Sequence, residues 1–168
     1  MNEGMIFNIE KFKTMIHYII SRCGFQDNFG RVLLNKILYF SDFDSYEIYE
    51  KSISNEKYIR NVNGPVSSHL IEAISDLIKE SKIEETSEIV INFKKYRYAS
   101  LTEPDSEILS KEELQVIDDV IDRISHFSSK EVINYSRGDL AWKIAKDGGQ
   151  LNYEAVFYRD PQYSREIR

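Results

Sequence analysis

Lys36, Asp42 and Asp44 sit where a sequence of this kind should hold no charge. The run VLLNKILYFSDFDSYEIYEKSISNEKYIRNVNGPVSSHL begins with the apolar density of a buried helix, then turns polar before Asn63-Gly64-Pro65. At about 100° per residue, Asp44 falls between Ile37 and Phe40, and Lys36 and Glu47 lie beside Phe40 and Phe43. A carboxylate in that position must be paired, because desolvating an isolated charge costs several kcal/mol or more. Two kinds of chemistry fit. In one, Asp44 accepts hydrogen bonds from the polar segment Lys57–Asn63 and ties it to the helix. In the other, Asp42, Asp44, Tyr58 and Arg60 border a ligand or partner pocket. A loop must satisfy its own backbone groups, which favours the first.

Other candidate chemistry is weaker. Asp118-Asp119-x-x-Asp122 has the spacing of oxygen ligands on one helix face. Ile117, Val120, Ile121 and Ile124 claim the opposite face, so these acids read as a solvated surface. His17, His69 and His126 fall on different helices without a partner at metal-ligand spacing, and read as structural. His69 alone keeps a functional alternative open, with Asp42 and Asp44. Cys23 lies near a helix end, where nothing lowers its pKa. The chain has no nucleophile elbow, no phosphate-loop motif and no dinucleotide fingerprint. No metal, cofactor or catalytic residue is expected.

The elements that must position these residues follow from periodicity. The 168 residues, 42% hydrophobic and 30% charged, suit one globular domain with a core. Residues 8–22 have helical spacing, with Asn8 as N-cap and Gly24 as stop. A second helix, from about Phe29 to Tyr49, is apolar around most of its circumference and should be central. Pro65 reads as the first turn of a helix whose apolar face is Leu70, Ile71, Ile74, Leu77 and Ile78. Residues 88–101 alternate about Lys94-Lys95 as a hairpin. Ser110-x-x-Glu113 and Ser128-x-x-Glu131 are capping boxes opening helices, and Ser136-x-x-Asp139 resembles one opening a third, with Gly148-Gly149 as its stop. The expected fold is α+β and predominantly helical: one domain over 1–157 with a small antiparallel sheet, loosely winged-helix-like, and a loose polar tail over 158–168. The strand near Tyr58 is a candidate member of that sheet.

The partner classes narrow on charge and composition. A net charge of −6 argues against nucleic-acid binding, which needs a basic surface. Lys94, Lys95 and Arg97 would be the contacts if the hairpin were a DNA-binding wing. One cysteine excludes an internal disulfide and fits a cytoplasmic setting. Residues 1–20, which include Glu3, Glu10, Lys11 and Lys13, do not form a leader peptide's apolar run, and no stretch suits a membrane span. Tyrosine is abundant, at 11 residues, and tyrosine and arginine are common binding hot spots.

Lys36-Ile37-Leu38-Tyr39-Phe40-Ser41-Asp42-Phe43-Asp44, Tyr46, Ser52-Ile53-Ser54, Lys57-Tyr58-Ile59 and Gly64-Pro65-Val66 together resemble the Panacea domain of SocA-like antitoxins, also found in GepA-like proteins of phages and mobile elements. Asp139-x-Ala141-Trp142 and Asn152-Tyr153 resemble its C-terminal signature, so the likeness runs from about residue 8 to 157. Lys51 and Asn55 stand where the family has glycines, Arg137 where it often has histidine, and Ser45 where it often has another. The resemblance implies an antitoxin that neutralises a toxin encoded beside it, usually by direct protein binding. In one relative it acts as an adaptor that delivers the toxin to the Clp protease. It also implies no enzymatic activity. A factor that blocks a host defence system and an autoregulator of its own operon are the alternatives. The expected partner-binding residues are Tyr58, Arg60, Gly64, Pro65, Arg137 and Trp142, with Lys36, Tyr39, Asp42 and Asp44 as the structural motif. Oligomeric state is left open.

Overall fold

In the computed structural model, which describes residues 5–166, the chain opens with α1 (Ile9–Cys23). The Asn8 side chain accepts from Lys11 N at 3.0 Å, and Gly24 closes the helix. Next comes α2 (Arg31–Tyr49), of whose 19 residues 14 are buried. Such a helix has no solvent face and must be packed on several sides. It meets α1, the hairpin of β1 (Tyr58–Asn61) and β2 (Gly64–Ser67), α4 (Lys111–Ile124), α5 (Ser129–Arg137) and a 3₁₀ segment, Tyr153–Tyr158. Between these lie α3 (Leu70–Lys79) and a second hairpin, β3 (Ile83–Val90) with β4 (Phe93–Ser100). The short α6 (Leu140–Ile144) follows α5. The result is one α+β domain, dominated by helices, with two separate two-stranded antiparallel sheets. Its element order is loosely that of a winged helix, with β3–β4 in the place of the wing.

Both capping boxes form: Ser110 with Glu113 and Ser128 with Glu131. Several local expectations need correction. Pro65 does not start a helix. It lies in β2, paired with Arg60 of β1, and α3 begins at Leu70. A φ near −65° suits a helix start, but also a short strand whose proline nitrogen is not needed as a donor. The Tyr58 strand therefore pairs with Gly64–Ser67 and does not join the other hairpin. On α3 the buried face is Leu70, Ala73, Ile74 and Leu77, whereas Ile71 and Ile78 are exposed. Ser136 opens nothing: it lies inside α5, and its hydroxyl donates to Ile133 O at 2.9 Å. Asp139 itself caps α6, accepting from Leu140 N at 3.0 Å. Gly148 and Gly149 do not stop that helix. They bond to Arg60, extending the β1 edge. The segment expected to be a loose tail is docked, with Arg159 and Tyr163 buried. Met1 to Gly4 and residues 167–168, the outer ends of the expected domain and tail, lie outside the described residues.

The second hairpin turns at Ile91-Asn92, not at Lys94-Lys95, with Val90 opposite Phe93. Ile91 has φ 57°. A β-branched residue in this left-handed region is strained, by about 1–2 kcal/mol relative to a relaxed backbone. Replacing Ile91 with glycine should therefore raise unfolding stability by about 1 kcal/mol, read as a higher denaturation midpoint at unchanged m-value.

Candidate partner-binding site

The buried acids of α2 are claimed by two joints. The first holds the 52–58 loop. Asp42 Oδ1 accepts from the backbone N–H groups of Ile53 at 3.0 Å and Ser54 at 2.8 Å. Its Oδ2 accepts from Ser54 Oγ and Tyr58 OH, each at 2.7 Å. Burial pushes this carboxyl up to about 6, against the opposing pull of these donors. The loop tie expected of Asp44 is thus made by Asp42, two residues earlier. Nearby, Glu56 is fully buried and accepts from His69 N at 2.8 Å, while its Oε1 lies 2.6 Å from His69 Nδ1. The His69 ring stacks on Phe7, 4.1 Å between centroids. His69 is therefore spent in structure.

The second joint is ionic. The Arg159 guanidinium fits Asp139 as a fork, with Nε to Oδ1 at 3.0 Å and Nη2 to Oδ2 at 2.8 Å. Its Nη1 donates to Asp44 Oδ1 at 2.8 Å and Glu47 Oε1 at 2.9 Å. Arg123 completes Asp44, at 2.7 Å, and Tyr39 OH donates to Asp139 Oδ2 at 2.7 Å. Arg159 is 3% exposed and Asp139 is fully buried. One cation thus joins α2, the N-terminus of α6 and the C-terminal segment. Sequence reasoning missed Arg159, Arg123 and the ionic role of Asp139. The available signal was arithmetic: three acids on a helix buried all round require cations from elsewhere in the chain.

Lys36 is 1% exposed, and its Nζ donates to Pro65 O at 3.1 Å. Gly64, at φ 94°, packs against it: a Cβ there would strike Ser136 Oγ and stand 2.9 Å from Lys36 Cε. Only glycine fits this conformation and this clearance. Gly64 and Pro65 are buried, and Tyr58 is 1% exposed. None of the three presents a side chain to a partner; they belong to the joint between α2 and the first hairpin. Tyr58, expected among the partner-binding residues, is instead a core residue hydrogen-bonded to Asp42.

The other three expected residues do converge at the surface. The Arg60 guanidinium carbon lies 3.8 Å from the Trp142 ring centroid, and that of Arg137 lies 5.3 Å from it. Arg60 Nη1 also donates to the carbonyls of Trp142, Lys143 and Ala145 at 3.0–3.1 Å, closing the C-terminus of α6. Arg60 Nε stands 3.1 Å from Asp147 Oδ1 as an ion pair without hydrogen-bond geometry. The Trp142 indole N–H donates to Asn61 O at 3.0 Å. Trp142 is 9% exposed and mainly structural, whereas Arg137 is exposed. Val62, in the β1–β2 turn, and Ile144, at the end of α6, are 74% and 62% exposed. The outer surface here is a cationic and aliphatic shelf resting on tryptophan.

His17 is buried, its Nε2 3.0 Å from Thr102 O, and burial lowers its pKa. Cys23 is buried, with its thiol pushed up to about 11. Asp118 accepts from Tyr18 OH and Arg22, each at 2.6 Å. Among the described residues, no group of His, Cys, Asp or Glu is placed to hold a metal ion, and no helix is long and apolar enough to cross a membrane.

Removing one member of a buried ionic cluster strands the others. Arg159→Met should destabilise the domain by about 3–5 kcal/mol in denaturant unfolding. A second test uses pH. Burial lowers Lys36 to about 8, so the folded chain releases this proton before the unfolded one, whose lysines hold theirs to about 10.4. The unfolded state then binds more protons, and stability rises with pH from about 8 to about 10.4. Lys36→Met should abolish that rise in melting temperature relative to wild type.

The chain matches no curated protein and no solved structure. The family model described as antitoxin SocA-like, Panacea domain, matches residues 34–143. That span takes in Lys36, Asp42, Asp44, the first hairpin, Asp139 and Trp142, and leaves Arg159 outside. The chain belongs to the SocA-like antitoxin family and carries its Panacea domain.

Proposed function

We propose that the protein is the antitoxin of a toxin–antitoxin pair, a non-catalytic cytoplasmic protein that neutralises a toxin encoded beside it by binding it directly. The carrying observation is how the ionisable groups are divided. Asp42, Asp44, Lys36, Glu56 and His69 are engaged inside the fold, while the cationic and aliphatic side chains of Arg137, Val62 and Ile144 face outward. A catalytic site needs its acids and bases reachable by substrate; a binding surface needs exposed contact area on a rigid support. The Arg60–Trp142 stack supplies that support.

DNA-binding autoregulation draws less from the geometry. Arg97 Nη1 donates to Asp27 O at 2.8 Å, and its Nη2 stands 3.7 Å from Asp27 Oδ1. One of the hairpin's three cations is thus engaged within the chain, whose net charge is −6.

The test is co-expression with the neighbouring gene. Wild-type protein should restore growth and co-purify with the toxin. Arg137→Glu combined with Ile144→Asp should lose about 2 kcal/mol or more of binding and break the rescue, with melting temperature nearly unchanged. Rescue accompanied by disappearance of the toxin, with no stable complex, would point to delivery to a Clp-type protease. Full rescue by the folded double variant would remove this shelf from the binding site. A sequence-selective shift of promoter DNA, lost on changing Lys94, Lys95 and Arg97, would support autoregulation.

A further inference from the structure

The two edges of the β3–β4 hairpin are treated differently. The segment from Gly24 to Gly30 covers the outer edge of β4. A Cβ at Gly24 would stand 2.7 Å from Tyr98 O, one at Gly30 3.1 Å from Tyr96 O, and Arg97 reaches Asp27 O. Among the described residues β3 pairs with β4 alone, and no backbone hydrogen bond reaches the outer side of Glu84–Val90. An eight-residue strand left open on one side presents the outward N–H and C=O groups of every second residue as a template for another strand.

The side chains on this edge select what can pair with it. Glu85 faces inward and is held by Arg31 at 3.0 Å and Tyr98 OH at 2.7 Å. Glu84 and Glu88 share the other face, are exposed, and enter no ion pair or hydrogen bond among the described residues. They stand roughly 13 Å apart along the strand. Two copies of this chain, joined antiparallel about Thr86, would set Glu84 of one against Glu88 of the other, which is unfavourable. A strand carrying lysine or arginine at two positions four residues apart would instead meet acid with base. Acids on an edge also guard against aggregation, but a bare guard would not end as this hairpin does. Ile89 and Ile91 are 81% and 86% exposed and Phe93 is 60% exposed. The turn also holds Ile91 in the left-handed region, where glycine or asparagine is the unstrained choice. An exposed apolar residue kept at a backbone cost suggests a contact made outside the chain.

We propose that the outer edge of β3 is the docking site for an extended basic segment of the partner protein, which adds as a third strand to the hairpin while its end packs on Ile89 and Ile91. Main-chain hydrogen bonds supply the affinity and Glu84 and Glu88 set the charge preference. That the partner is the toxin rests on the function proposed above; the docking chemistry does not.

The probe is a synthetic peptide alternating valine and threonine, with lysines four residues apart, and a twin carrying glutamates in their place. Binding to the full chain is followed by fluorescence anisotropy, and the bound site by amide hydrogen exchange. The lysine peptide should bind wild type, protect amides within residues 84–90, and weaken as salt rises. E84K/E88K, at exposed positions that enter no ion pair or hydrogen bond among the described residues, should lose roughly tenfold in affinity for it and gain a similar factor for the glutamate twin. No binding, equal binding to both proteins, or protection elsewhere would overturn the docking site. Growth rescue separates the two claims. Failure of wild type to rescue, with peptide selectivity intact, removes the toxin and keeps the edge. Rescue by E84K/E88K equal to wild type keeps the antitoxin and removes the edge.

Discussion

Burying carboxylates on a helix that has no solvent face is the constraint on which this fold depends. Asp42, Asp44 and Glu47 of α2 are each nearly inaccessible to water. Each must find donors from distant parts of the chain, or the helix cannot occupy the centre. Asp42 recruits a loop, which fixes where β1 starts. Asp44 and Glu47 recruit Arg159, which brings the C-terminal segment back across the domain and clamps Asp139 at the start of α6. The positions of the first hairpin, α6 and the last segment all follow from where those acids sit.

The family motif therefore works mainly as internal hardware. Lys36 holds Pro65 O, Tyr39 holds Asp139, Asp42 holds Tyr58, and Gly64 leaves room for Lys36 and Ser136. A frame locked in this way can keep its shape while exposed residues around it vary. The shelf over Trp142 and the open β3 edge lie outside this frame, on different hairpins.

Much of this was legible in the sequence, and the failures have physical causes. The periodicity of α1, α2 and α4 and both capping boxes were readable because they are local. A helix buried all round gives no preferred face, so periodicity could not say whether Asp42 or Asp44 met the loop. Pro65 misled because one φ value serves a helix start and a strand. The hairpin turn is hard to read because Ile91 is a residue that turns disfavour and Asn92 has no glycine beside it, whereas Lys94-Lys95 interrupts the alternation. Arg159 was hidden in a polar segment whose docking rests on Asp139, 20 positions away, and on Asp44 and Glu47, 115 and 112 positions away. No local pattern reports such a pair. Of the six residues expected to bind a partner, Arg60 and Arg137 gather on the Trp142 ring. Tyr58, Gly64 and Pro65 gather beneath it, because motif residues report a joint as readily as a contact.

The central claim is that the motif's buried acids serve the fold and leave binding to the surface. Asp42→Asn tests it most directly, since it keeps the shape while replacing an oxygen acceptor with a donor that faces other donors. Unfolding free energy and affinity for the co-purified partner should be measured on the same preparation, below the variant's melting temperature. The expected result is a loss of about 2–3 kcal/mol in stability with partner affinity within about twofold of wild type. Unchanged stability with lost affinity would contradict it and make Asp42 part of the binding site.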